Sequence, residues 1–225
     1  NIASPGDADD PAFWLHPTDA SRSYVIGTAK NSGLRVYDLA GNELQSYLSP
    51  GKIDNVASRL NNVDVQYDFR LNDGTRADLA IFTDRGQDTL RVFRINASGT
   101  PLTEITGYNR LFPAQPLANQ ATGYGLALWR DTASDKLYSL VAQRGGSGAG
   151  GAVKGHQIAQ FEMVAQAGGT VTSQFVRSWA LPTTYKGVDL TSALTPTGDS
   201  YSPQSEGMVV DQRDGVLFVG QEEVG

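Results

Sequence analysis

Four segments of this chain end alike: Val25-Ile26-Gly27-Thr28-Ala29-Lys30, Ala80-Ile81-Phe82-Thr83-Asp84-Arg85, Ser139-Leu140-Val141-Ala142-Gln143-Arg144 and Leu217-Phe218-Val219-Gly220-Gln221-Glu222. Each is a short apolar run, then small or polar residues, then a charged side chain. Short apolar runs bounded by turn residues read as buried strands. If equivalent strands of a repeated unit end alike, their tips converge on one surface. Three cations and a carboxylate then meet from distant parts of the sequence, which predicts a site for an anionic ligand with a metal nearby.

The stretches between these tips carry strand patterns too. Leu34–Leu39, Asn62–Tyr67 and Leu90–Ile95 alternate or nearly alternate apolar with polar residues, and turn chemistry separates them at 40–42, 71–74, 96–99 and 212–215. No stretch carries an i, i+3, i+4, i+7 apolar face with caps, so the chain is all-β. Its strands group into units that begin near Ala12, Asn61, Tyr124 and Glu206. Four-stranded units at roughly 50-residue spacing are the mark of propeller blades. The last unit stops after Val216–Glu222, and closed propellers carry about 4–8 blades. The expectation is therefore one propeller domain over residues 1–225, incomplete at its C-terminus, with further blades downstream.

Composition narrows the chemistry. The 225 residues include no cysteine, which excludes thiolate catalysis, zinc–cysteine sites and disulfides. A net charge of −6 argues against a general nucleic-acid binder. An acidic protein that handles an anion must concentrate its positive charge locally or borrow it from metal ions. No signal peptide or transmembrane span is recognisable, and the start at Asn1 without Met reads as a mature or trimmed product.

Oxygen donors open the units: Asp9-Asp10, Asn61-Asn62 with Asp64, Tyr124, and Glu206. Hard carboxylate, amide and carbonyl oxygens suit calcium, although Asp-Asp-Pro and Asn-Asn also serve as ordinary turn and strand-start residues. Other signals are set aside. Gly146–Gly151 formally satisfies G-x-G-x-x-G, but the strand pattern of His156–Met163 after it offers no helix N-terminus for a pyrophosphate. His16 before Pro17 reads as a turn residue, and neither it nor His156 has metal-ligand spacing. Trp14, Trp129 and Trp179 read as core or inter-blade packing.

Taken together, Asp7-Ala8-Asp9-Asp10-Pro11-Ala12-Phe13-Trp14, Lys30-Asn31-Ser32-Gly33-Leu34-Arg35-Val36-Tyr37, Leu60–Phe69 and Ser205-Glu206-Gly207-Met208 closely resemble the alkaline, calcium-dependent β-propeller phytases. The motifs stand in the family's order along the whole chain. The resemblance implies a six-bladed propeller, of which this chain covers about the first three to four blades, and a secreted or periplasmic bacterial enzyme. It implies a monomer acting on phytate or calcium-phytate, with no nucleic-acid or membrane partner. Lys30 and Arg85 would grip the phosphate being cleaved, while Tyr124 and Arg144 would help to hold the substrate, partly at an adjacent phosphate. Asp9, Glu206 and Glu222 would ligate active-site Ca2+, with Glu206 and Glu222 counted beside Lys30 and Arg85 as catalytic. Asp10, Asn61 and the Val63 carbonyl would bind a more structural Ca2+. Arg144 departs from the lysine often found there, and the family's further acidic ligands lie in later blades.

The reaction so implied is 3-phytase-type phosphomonoester hydrolysis by metal-activated water, several calcium ions offsetting enzyme and substrate charge. Two other readings stay open on the residues. One is a calcium propeller hydrolase of the lactonase or esterase kind, which needs no three converging cations. The other is a non-catalytic propeller that binds phosphorylated ligands.

Overall fold

Within each sheet, strands adjacent in the sequence pair with each other, giving a series of antiparallel meanders. The structure is a computed structural model that describes residues 7–48, 51–145, 155–189 and 204–221. The first sheet runs β1 (Pro11–Trp14), β2 (Tyr24–Thr28), β3 (Leu34–Tyr37), β4 (Glu43–Tyr47). The second runs β5 (Leu60–Arg70), β6 (Arg76–Asp84), β7 (Thr89–Ile95), β8 (Leu102–Glu104). The third runs β9 (Gly123–Asp131), β10 (Lys136–Gln143), β11 (Gln157–Ala165), β12 (Val171–Ala180). A short hairpin follows, β13 (Thr184–Tyr185) with β14 (Val188–Asp189), and then a two-stranded sheet of β15 (Ser205–Asp211) and β16 (Val216–Gln221).

These are the blades that the spacing predicts, with nearly the predicted limits. The β13–β14 hairpin is additional. Its central residues Lys186 and Gly187 have φ of 48° and 82°, the paired positive values that a type I′ hairpin turn requires. Aspartates set most of the other turns. Asp38 Oδ1 accepts the Ala40 and Asn42 N–H groups, Asp73 Oδ1 that of Thr75, and Asp211 Oδ1 that of Arg213. In each case a side chain supplies the acceptor that the reversing backbone lacks.

The core lies between blades rather than within them. Because side chains alternate across a strand, Ala80 and Phe82 of β6 face the first blade and pack with Trp14, Ile26, Leu34 and Val36. Leu79 and Ile81 face the third blade and pack with Leu126, Leu128 and Val141. Ala127 and Leu140 turn the other way, toward Val210 of the fourth sheet. Inner strands are thus buried on both faces, which is why their sequences read as unbroken apolar runs. Trp14 adds a directional tie, its Nε1–H donating to Asp78 Oδ2 of the second blade at 2.7 Å. Trp129 and Trp179 pack at the interface of the third and fourth sheets, as inter-blade residues should. His16 is a turn residue, as its place before Pro17 predicts, its Nδ1 accepting the Asp19 N–H at 3.1 Å.

Candidate active site

Threonines fasten one blade to the next at the end where the basic tips lie. Thr28 Oγ1 donates to the Asn61 carbonyl at 2.6 Å, and Thr83, at the equivalent place one blade on, donates to the Tyr124 carbonyl at 2.7 Å. Thr83 Oγ1 also accepts the Asn62 N–H at 3.0 Å. Lys30 and Arg85 stand two residues beyond these threonines, so the stitching fixes where they emerge.

A second line of contacts joins the tips themselves. The Leu60 N–H donates to the Lys30 carbonyl at 3.3 Å, the Arg85 N–H to the Arg59 carbonyl at 2.9 Å, and the Arg144 N–H to the Thr122 carbonyl at 2.8 Å. Thr122 Oγ1 donates to the Arg85 carbonyl at 2.6 Å and closes the line. Lys30 itself has φ of 45°, a left-handed conformation that costs a side-chain-bearing residue about 1–2 kcal/mol. Its carbonyl accepts the N–H groups of both Gly33 and Leu60, which hold the residue there.

Lys30, Arg85 and Arg144 therefore meet at one mouth, as predicted. Burial, with repulsion from Arg144 and Arg59, pulls the Arg85 guanidinium down to about 10. It remains charged at neutral pH, in a setting that an added anion would relieve. Arg85 Nη1 donates to Asn61 Oδ1 at 3.0 Å, and its guanidinium lies 5.5 Å from the centre of the Tyr124 ring. Arg144 is aimed by its Nη1 bond to Gln120 Oε1, 2.8 Å.

Acidic oxygens lie beside these cations. Asp9 Oδ1 is 3.1 Å from Lys30 Nζ, while its Oδ2 is buried without a hydrogen-bond partner. Asp10 Oδ2 accepts the Val63 N–H at 2.8 Å, and Glu206 Oε1 accepts from Asn61 Nδ2 at 2.6 Å. Burial raises the proton affinity of both Asp9 and Asp10, and Glu206 raises each further by like-charge repulsion. For Asp9 these effects outweigh the nearby Lys30 ammonium. Glycine brings Glu206 close: a Cβ at Gly125 would stand 2.6 Å from the carbonyl oxygens of Ser205 and Glu206.

These residues suit a hard cation in kind. Carboxylates that repel one another and a buried orphan oxygen gain from a bound Ca2+, which takes such oxygens in irregular geometry. Among the described residues, no three acidic or histidine side chains form a ready metal cluster, and Asn61 Oδ1 is engaged by Arg85. Glu222 lies outside the described residues, as does the glycine-rich stretch 146–151; the first described element after that stretch is the strand β11, not a helix.

Asp64 corrects the reading of the Asn-Asn-Val-Asp stretch as one set of donors. Both of its carboxylate oxygens accept backbone N–H groups, from Val65 and from Leu128 of the next blade, and burial pushes it up to about 6. It pins two blades together. Arg59 and Asp7, which no recurring strand tip or unit opening includes, also belong to the site. Asp7 Oδ2 lies 2.9 Å from Lys30 Nζ and 4.0 Å from Arg59 Nη2. Arg59 directly precedes β5, so the recurring pattern, which concerns strand ends, does not mark it.

The profile of the family described as Phytase matches residues 1–192. A curated protein of Bacillus subtilis (strain 168), described as 3-phytase, is 32% identical over 226 residues, which cover 99% of this chain and 48% of that protein. The chain thus spans about half the length of this curated relative. Among solved structures, an auxiliary nutrient binding protein from Bacteroides thetaiotaomicron VPI-5482 aligns with a TM-score of 0.41 and 13% identity, over 94% of this chain and 45% of that one.

Proposed function

The chain belongs to the phytase family, and from that premise we propose that it serves in the calcium-dependent release of phosphate from phytate, myo-inositol hexakisphosphate. The observation that carries this reading is the stitched mouth, where Lys30, Arg85 and Arg144 stand beside Asp9, Asp10 and Glu206. A polyanionic substrate and a metal cation each relieve one half of that charge distribution.

Lys30 and Arg85 bind the phosphate to be cleaved, Lys30 as a point charge and Arg85 through a guanidinium fork that matches two phosphate oxygens. The Tyr124 ring and Asn61 hold that fork in place. Arg144 positions a neighbouring phosphate. Asp9, Asp10, Asn61, Val63 and Glu206, with Glu222, would hold Ca2+. When bound, calcium would offset carboxylate and phosphate charge and supply Lewis-acid activation of water. Electrostatic stabilisation of the oxygens that gain charge in the transition state then falls to the cations of the mouth.

Closure into a six-bladed ring is part of the proposal. Phe13 of the first blade and Val209 and Phe218 of the fourth sheet are exposed, on faces opposite those that enter the core. Among the described residues, no helix is long and apolar enough to cross a membrane; a secreted or periplasmic setting belongs to the proposal as well.

The test is inorganic phosphate released from phytate with excess calcium and with a chelator, the Bacillus subtilis 3-phytase serving as positive control. Release that a chelator abolishes and calcium restores is the expected result. Calcium-dependent binding of phytate without release would point to the phosphate-binding propeller instead.

A further inference from the structure

Different residues precede the basic tips: Ala29 before Lys30, Asp84 before Arg85 and Gln143 before Arg144. Asp84 alone brings a charge to that place, and it is fully buried. A buried carboxylate is costly unless it is paired and hydrogen-bonded. The first and third blades end without one, so a blade as such does not require it.

Most of the bonds of Asp84 run to the segments on either side of Arg85. Its Oδ1 accepts the N–H groups of Arg59 at 2.9 Å, Gly86 at 3.2 Å and Gln87 at 3.1 Å. Its Oδ2 accepts from Ser58 Oγ at 2.6 Å and from Arg91 Nε at 3.2 Å. One carboxylate thus ties residues 58–59, which lead into the second blade, to the turn that follows Arg85. Arg85 lies inside this ring of bonds, its own N–H donating to the Arg59 carbonyl at 2.9 Å. The two segments approach closely, since a Cβ at Gly86 would stand 2.0 Å from the Ala57 carbonyl oxygen. Arg91 supplies the counter-charge and is held in turn by Gln87 Oε1 and, at 3.2 Å, by Glu104 Oε1.

We propose that Asp84 is a positioning residue for phosphate release: its carboxylate sets the place from which the Arg85 guanidinium reaches the mouth. The proposal rests on the reading that Arg85 grips the phosphate being cleaved. Donors converge on both oxygens of Asp84, so an amide cannot serve them all. Asparagine keeps one oxygen and turns N–H groups toward other donors, and the ring around Arg85 loosens. A misplacement of about 1 Å in a group that orients substrate can cost about 10²-fold in rate.

The experiment is a double-mutant cycle of wild type, Asp84→Asn, Arg85→Ala and the double variant, with calcium present and well below the lowest Tm of the four. The readouts are kcat/KM on inositol hexakisphosphate and the calorimetric Kd for the same compound. A residue that acts through Arg85 loses its effect once Arg85 is gone, whereas a loss of folded protein lowers both backgrounds alike. Asp84→Asn should lower kcat/KM about 10- to 10²-fold beside Arg85 and less than about threefold beside alanine. The Kd should weaken about threefold or more in the first case and less than about twofold in the second. Additive effects overturn the proposal, as does wild-type kcat/KM in Asp84→Asn. If Asp84→Asn does not fold, Ser58→Ala removes one bond to the same carboxylate, and a coupling to Arg85 below about twofold overturns the proposal. A wild type that binds hexakisphosphate without releasing phosphate refutes the catalytic reading, and the Kd cycle then decides the role of Asp84 alone. A wild type that does neither overturns both.

Discussion

Replacing Thr83 by valine removes one oxygen and almost no volume, yet the structure makes it a severe change. Thr83 is fully buried, and its hydroxyl serves two backbone groups, donating to the Tyr124 carbonyl and accepting the Asn62 N–H. Valine strands both. Each unsatisfied buried group costs about 1–3 kcal/mol, partly offset by about 0.8 kcal/mol from the added methyl. A net loss of about 1–5 kcal/mol should follow, or a fall in Tm of about 2–20 °C at the slope expected for a chain of this size. Thr83→Ser keeps the hydroxyl and should lose only about 1 kcal/mol. The assay is thermal unfolding of the three proteins with and without calcium. A valine variant that melts within about 2 °C of wild type, or below which the serine variant falls, would refute the claim that this hydroxyl fastens the second blade to the third.

Gly125→Ala should push the 205–206 backbone away, since a Cβ 2.6 Å from two carbonyl oxygens has no side chain to move aside. Overpacking of this kind costs about 1–3 kcal/mol, and calorimetry should show weaker calcium binding as Glu206 retreats. Arg85→Ala should lower phosphate release about 10²-fold if the residue stabilises transition-state charge, with an unchanged or raised Tm, because it removes a cation repelled by Arg59 and Arg144. Asp88 is pushed by burial up to about 6 from an ordinary 3.8, despite Arg110 beside it. The folded state therefore holds that proton more tightly, so stability contributed by Asp88 should fall as pH rises from about 4 to about 6 and level off above. Urea midpoints across that range should slope down for wild type and less steeply for Asp88→Asn, the remaining slope coming from Asp64, which burial also holds at about 6.

The meanders were legible because burial on both faces leaves runs such as Leu79–Phe82 with no polar residue to disguise a strand, and because aspartate-led turns break the runs at regular intervals. The convergence of Lys30, Arg85 and Arg144 was legible for the same reason: equivalent strands end at equivalent points. Individual roles were harder to read. Asn61 and Asp64 look like neighbouring donors, but the pairing of β5 with β6 is irregular between Leu60 and Val63, which a period-two reading does not foresee, and the structure gives one to Glu206 and Arg85 and the other to Leu128. Arg59 carries no local mark at all; only the pairing of its carbonyl with Arg85 brings it to the site.

The line of contacts from Lys30 through Leu60 and from Arg59 through Arg85 and Thr122 to Arg144 is made almost wholly by peptide groups. Thr122 supplies the only side chain in it. The identity of the basic residues is thus uncoupled from the frame that spaces them. Exchanging lysine for arginine, or either for glutamine, at those positions changes what the mouth prefers while leaving the distances between positions intact. Ligand preference can drift here, or be redirected deliberately, one residue at a time and without rebuilding the blades.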